Sequence, residues 1–233
     1  MHVLELVRGL RGRVDLHLAI GDDEFLADEV RLLGVPVTIV GGLQRDVAAG
    51  ADLRAIRAIR ALSQQFRPHL IHTHSSKAGL IGRLAARSLG IASIHTAHAW
   101  SFSDGIPWRR KAWTIPVEAA VARITSRFIV VSDADREVAT RFRVARANQV
   151  RVVHNGVPDA KIRGKPAANG PITVVMVARM ATPKDHDLLV RALAAADPTI
   201  QLRLVGGGPD QPAVEALVKQ LGLTERVEFL GVR

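Results

Sequence analysis

Apolar positions along this chain follow two alternating periods. Short β-branched runs, apolar on both faces, recur between longer stretches whose apolar residues return every three or four positions. The runs Val14–Ile20, Val35–Val40, His69–His74, Ala92–His98, Arg127–Ser132 and Gln149–Asn155 are predicted as strands. Between the second and third, Leu53, Ile56, Ile59, Leu62 and Phe66 mark one face of a helix over Asp52–Phe66, with Arg54, Arg57 and Arg60 along its other side. Ser132 and Asp133 precede a helical stretch, Ala134–Phe142, and offer side-chain oxygens to its free N–H groups. Met1–Leu10 reads as a helix feeding the first strand, with no strand ahead of it. Strand–helix alternation of this kind predicts an α/β fold built on a parallel, doubly wound sheet covered on both faces.

Lys161–Pro171 breaks the pattern, being rich in Gly, Pro, Ala and Asn with no apolar period, and reads as a linker. Beyond it the alternation restarts with strand Ile172–Ala178, a helix around Asp187–Ala196, strand Ile200–Val205, helix Pro212–Leu221 and strand Val227–Leu230. That is half of a Rossmann-like domain, against about 100–150 residues for a typical domain. The expected organisation is a first domain over 1–166 and a partial second domain over 167–233.

Composition narrows the class. Of 233 residues, 48% are hydrophobic, which excludes a disordered chain. No apolar run approaches the roughly 18 residues that would predict a membrane span, and the N-terminus is too charged for a signal peptide. With no cysteine, a disulfide scaffold and thiolate chemistry are excluded, and a cytoplasmic location, at most at the inner face of a membrane, is expected. The net charge of +10 lies entirely before residue 169, where 25 Lys and Arg face 15 Asp and Glu; the remainder carries 7 of each. A basic first part suggests an anionic partner for that part alone, an acidic membrane surface or a phosphorylated acceptor, or else a solvated arginine-rich surface. Nucleic acid is not expected, because aromatics are 4% with no Tyr and no nucleic-acid motif is present.

In an open parallel sheet the ligand lies beyond the C-terminal ends of the strands. Polar residues collect at such ends: His72 and His74, followed by Ser75, Ser76 and Lys77; His95 and His98; Asn155 and Gly156; Arg179, with Lys184 before the next helix; and Gly206-Gly207-Gly208-Pro209. Strand period puts His72 and His74 on one face, as two metal ligands would be, but no Asp or Glu lies nearby in sequence, and no metal is expected. Arg179 and Lys184 either converge on a diphosphate at a helix N-terminus or are solvated helix-entry charges. Gly206–Pro209 has the shape of a phosphate loop. As a dinucleotide fingerprint it is damaged, with Gln211 at the third glycine position and Glu228 inside a strand. Trp108 and Trp113 flank Arg109, Arg110 and Lys111, either as a peripheral membrane contact or as a helix start with inward-packed indoles.

Taken in order, His72-Thr-His-Ser-Ser-Lys77-Ala-Gly79, His95-Thr-Ala-His98-Ala-Trp-Ser-Phe102, Glu118, Ile129-Val-Val-Ser132, Val153-His-Asn155-Gly156-Val157, Val177-Ala-Arg179 with Pro183-Lys184, Leu204-Val-Gly206-Gly-Gly208-Pro209 and Val227-Glu-Phe-Leu-Gly231 resemble the family-4 retaining glycosyltransferases. The resemblance implies the GT-B architecture of two Rossmann-like domains facing a cleft, the second incomplete here, and transfer of a sugar from a nucleotide-diphosphate sugar with retention. It implies that Arg179 and Lys184 bind the donor diphosphate, with Gly206, Gly207, Gly208, Pro209, Asn155 and Arg233 also on the donor side. His98 would contact the donor sugar, and His74, Ser75 and Lys77 would lie on the acceptor side. The expected acceptor is anionic or lipid-linked, such as a surface-polysaccharide precursor, and no cofactor or metal is implied. The family's N-terminal strand with its Gly-rich loop and its pair of glutamates seven residues apart fall outside Met1–Arg233, and Ala178 stands where the family has Gly. A chain truncated at both ends is thus expected, turning over slowly at most. The alternatives are a diphosphate-binding module without chemistry and an NAD-dependent oxidoreductase.

Overall fold

The computed structural model describes residues 2–43, 48–103, 105–156, 159 and 172–233. The chain divides into two compact units, Met1–Asp159 and Ala160–Arg233. The linker expected over Lys161–Pro171, and with it the expected boundary at 166, lies outside the described residues.

Unit 1 runs α1 (His2–Leu10), β1 (Leu18–Ile20), α2 (Glu24–Leu32), β2 (Val37–Ile39), α3 (Ala49–Phe66), β3 (Leu70–His74), α4 (Ser76–Ser88), β4 (Ala92–Ala97), α5 (Trp108–Ala122), β5 (Arg127–Val130), α6 (Asp133–Arg141) and β6 (Val150–Val152). Every strand pairing is parallel. The six strands do not form one hydrogen-bonded sheet, however: β1 pairs with β2, and a separate sheet has the order β3-β4-β5-β6. In the doubly wound order 3-2-1-4-5-6, β2 and β1 correspond to positions 3 and 2, and β3 onward to position 4 and its successors. Position 1 is not filled among the described residues.

The elements form for local reasons. Asp23 and Ser132 cap α2 and α6, accepting hydrogen bonds from the N–H groups of Leu26 and Asp135. α3 turns inward the face marked by Ile56, Ile59, Leu62 and Phe66, rotated slightly so that Leu53 lies outside it. Ala55, Ile59 and Ser63 are buried while Leu53 is exposed, because small side chains let α3 lie close against Ile81 and Ala85 of α4. The predicted first strand shortens to Leu18–Ile20, the stretch paired with β2, and Val14 stays exposed. The main core lies under β4, β5 and β6, where Trp100, Phe102 and Phe128 are buried. The Trp100 indole N–H donates to the Asp135 carbonyl at 2.8 Å.

Unit 2 runs β7 (Thr173–Val177), α7 (His186–Ala195), β8 (Gln201–Val205), α8 (Gln211–Gln220) and β9 (Val227–Gly231), with parallel order β7-β8-β9. Leu202 and Leu204 of β8 are fully buried with Val190, Leu193, Val214 and Val218 of the two helices. Because all three sheets are parallel, each gathers its strand C-termini, and the loops that follow them, at one edge.

Candidate functional site

In unit 1 the edge is lined with imidazoles. Alternation along β3 puts His72 and His74 on the same face, ring centroids 4.4 Å apart. The parallel neighbour β4 ends at Ala97, so His98 follows directly and comes within 3.3 Å of His74, Nε2 to Nδ1. His2, at the start of α1, completes the group with its ring 4.8 Å from that of His98 and 5.6 Å from that of His74. His72 is tied back to the sheet, its Nε2 2.7 Å from the Thr96 hydroxyl.

Burial, reinforced by neighbouring imidazoles, pushes His72 down to about 4 and His74 to about 3, and burial also lowers His98. All three are therefore neutral near pH 7, with ring nitrogens available as hydrogen-bond acceptors. His95 plays a different part. It is buried, its Nδ1 lies 2.9 Å from the Thr73 hydroxyl, and it rests where a side chain at Gly79 would be, so it belongs to the interior. Ser75 adopts φ 62 at the α4 N-cap and makes no side-chain cap there. Lys77, in the first turn of α4, forms an ion pair with Asp52 in the first turn of α3 at 2.8 Å. Asn155 is exposed just past β6 in the same unit.

In unit 2 two loops are knitted together. The loop after β7 carries Arg179 and Lys184, and the loop after β8 carries Gly206–Pro209. The Met180 N–H donates to the Gly207 carbonyl and the Asp210 N–H to the Met180 carbonyl, both at 3.0 Å, and Met180 is fully buried. Gly206 has φ +134 and donates to the Gly231 carbonyl at 2.8 Å. The glycines therefore serve first to bring backbone against backbone, which the phosphate-loop reading does not by itself explain. The N–H groups of Gly207 and Gly208 donate to no backbone acceptor among the described residues and are open to an anion. Arg179 and Lys184 are exposed and enter no ion pair among the described residues. Arg233 is exposed just past β9, at the same edge. Glu228, the ribose ligand in the dinucleotide reading, lies within β9 and pairs with Arg203 of β8 at 2.8 Å.

The α5 indoles point outward, correcting the inward-packed reading: Trp108 is 72% exposed and Trp113 53%. Arg109 and Arg110 are exposed beside them, while Lys111 sits over the Phe142 ring, 5.9 Å from its centroid.

Two features escaped sequence reasoning. His2 joins the imidazole group only through tertiary packing, as Leu4 and Val7 of α1 bury against α2. Arg83 is fully buried in a bidentate pair with Glu118, and its sole signal is a position between glycines and alanines on α4.

Residues 1–161 match the family model described as Glycosyltransferase Family 4, and residues 158–233 the model described as Glycosyl transferases group 1. Over 138 residues the chain is 29% identical to the UDP-Gal:alpha-D-GlcNAc-diphosphoundecaprenol alpha-1,3-galactosyltransferase of Escherichia coli, covering 58% of this chain and 34% of that one. It is likewise 29% identical over 188 residues to the D-inositol 3-phosphate glycosyltransferase of Saccharomonospora viridis, 69% of this chain and 43% of the other. Among solved structures it is similar to Anabaena Alr3699/HepE in complex with UDP and glucose, with a TM-score of 0.82 at 19% identity, over 100% of this chain and 65% of that one. This chain thus spans under half the length of the two curated relatives. Its fold is that of the GT-B glycosyltransferases.

Proposed function

The chain belongs to glycosyltransferase family 4, and from that premise we propose that it serves sugar transfer, with retention, from a nucleotide-diphosphate sugar to a phosphate-bearing acceptor. Unit 2 holds the donor diphosphate and unit 1 the acceptor. The observation that carries the donor half is the pair of knitted loops, which present two exposed cations and two open glycine N–H groups at one sheet edge. Breaking the glycosyl–phosphate bond sends its electron pair to the diphosphate. Arg179 and Lys184 stabilise that growing charge more than they stabilise the ground state. Fixed side-chain cations thereby fill the place a metal cofactor would otherwise take. His98, neutral and exposed, can hydrogen-bond a sugar hydroxyl.

The basic charge of unit 1 suits an acceptor that carries phosphate, as the substrates in both curated relatives' names do. Titration calorimetry with UDP and GDP tests the donor half. Binding of at least one is expected, and the Arg179→Ala, Lys184→Ala double variant is expected to weaken it at least tenfold, since charge-assisted hydrogen bonds contribute about 1.5–3 kcal/mol each. Equal affinity in the two proteins, or no nucleotide binding by the parent chain, would overturn the assignment. A turnover assay then separates a transferase from a binding module.

Exposed Trp108 and Trp113 beside Arg109 and Arg110 favour a lipid-linked acceptor met at an anionic membrane surface. The chain is expected to sediment with phosphatidylglycerol vesicles and much less with phosphatidylcholine ones. Trp108→Ala combined with Trp113→Ala should abolish the difference. No preference for anionic vesicles, or a preference untouched by the double substitution, counts against the membrane contact.

A further inference from the structure

The three imidazoles of His2, His74 and His98 come from three separate elements, and one ring nitrogen of each lies within 4.8 Å of the other two. We propose that they form a transition-metal site, of the class that takes Zn2+, Co2+, Ni2+ or Cu2+. Sequence spacing pointed elsewhere, to the His72–His74 pair and a missing carboxylate. In the structure His72 is bound to Thr96, and the further ligands are His98, directly after β4, and His2 of α1.

The spacing fits. With Zn–N bonds of about 2.0–2.1 Å at a tetrahedral angle, two ligand nitrogens stand about 3.3 Å apart. His74 Nδ1 and His98 Nε2 are 3.3 Å apart. The widest separation in the trio exceeds that spacing by about 1.5 Å at most, a distance that side-chain torsions at partly exposed His2 and exposed His98 can close. One hydrogen bond between His74 and His98 satisfies a single acceptor nitrogen, whereas a cation satisfies all three acceptors together. The trio contains no carboxylate, so an imidazole-seeking metal is favoured over Mg2+ or Ca2+, and a fourth position stays open to water. His72, with its ring 4.4 Å from that of His74 and held by Thr96, backs the site.

Such a cation ties α1 to the ends of β3 and β4. It also occupies the His98 nitrogen that a sugar would use, so the metal acts as a lock on unit 1 and not as a catalyst. The site itself stands on the geometry whether or not the chain transfers sugar.

Untagged protein is titrated with Zn2+ against a chromophoric chelator, and separately with Co2+ while the visible d–d bands are recorded. One equivalent of Zn2+ is expected to bind at micromolar affinity or tighter, and Co2+ to give the intense bands of a four-coordinate site. His2→Ala, His74→Ala and His98→Ala should each weaken binding at least tenfold, while His69→Ala and His154→Ala leave it unchanged. If His74→Ala does not fold, His2→Gln and the exposed His98→Gln carry the same test. Absence of stoichiometric Zn2+ binding overturns the site, as does affinity unchanged in the His2→Gln, His98→Gln double variant.

Discussion

Replacing Arg83 with methionine is expected to destabilise unit 1 by about 3–5 kcal/mol, the loss typical of breaking a buried ion pair from one side. Arg83 has no exposed surface. Its guanidinium donates to both carboxylate oxygens of Glu118, at 2.6 and 3.1 Å, and its Nε–H donates to the Gly79 carbonyl at 2.8 Å. The same group stands 5.7 Å from the Phe128 ring centroid. Methionine fills much of the volume but leaves the Glu118 carboxylate, only 13% exposed, with no cation. A lysine there keeps the charge and loses the planar fork, so Arg83→Lys should recover only part of the stability. The decisive measurement is a double-mutant cycle by urea denaturation. Adding Glu118→Leu to Arg83→Met should restore at least half of the loss, because it removes the stranded charge. A loss under about 1 kcal/mol for Arg83→Met, or no restoration in the double variant, would show that the pair does not hold α4 to α5. The consequence reaches the candidate site, since α4 begins two residues after His74, and Gly79 on its inner face makes room for His95 of β4.

Most strands of this chain were legible because strands covered on both faces must be apolar throughout, and the runs around Ile71, Ile94, Phe128 and Leu202 stand out against amphipathic neighbours; β7 was legible from the same kind of run although Val175 is exposed. The edge residues were legible for a related reason: a polar side chain that directly ends an apolar strand, as His74 and Arg179 do, has little structural reason to be there. What stayed hidden depends on contacts far apart in sequence. Arg83 sits at a helical position where arginine is ordinarily solvated, and its partner lies 35 residues on. His2 reaches His98 only after α1 packs on α2. The inward face of α3 was misjudged at Leu53 because close helix packing selects small residues such as Ala55, which carry little hydrophobic signal. The outward turn of Trp108 and Trp113 was equally invisible, since α5 shows no clean apolar stripe in sequence.

In unit 2 Gly208→Ala is expected to cost about 3–5 kcal/mol, which is enough to unfold a unit of this size. A methyl group at Gly208 would overlap the Met180 carbonyl oxygen and lie 2.7 Å from its carbon and 3.0 Å from its nitrogen. These are backbone atoms, so no side-chain rotation relieves the clash and the two loops must separate. Separation costs two hydrogen bonds, at about 1 kcal/mol each, and the burial of Met180, about 1.5–3 kcal/mol. Gly207 provides the internal control. A methyl group there would meet only the Val232 side chain at 3.5 Å and Gln211 at 3.7 Å, ordinary contact distances. Gly207→Ala should therefore change stability by less than about 1 kcal/mol. Hydrogen exchange of the β7, β8 and β9 amides reads the effect on this unit alone: protection should collapse in Gly208→Ala and persist in Gly207→Ala. Nucleotide binding should follow the same order, because Arg179 is held at the sheet edge by the Met180 backbone that the clash displaces. If Gly208→Ala keeps its protection and its UDP affinity, the two loops are not a single structural piece, and Arg179 owes its position to something other than the glycine loop.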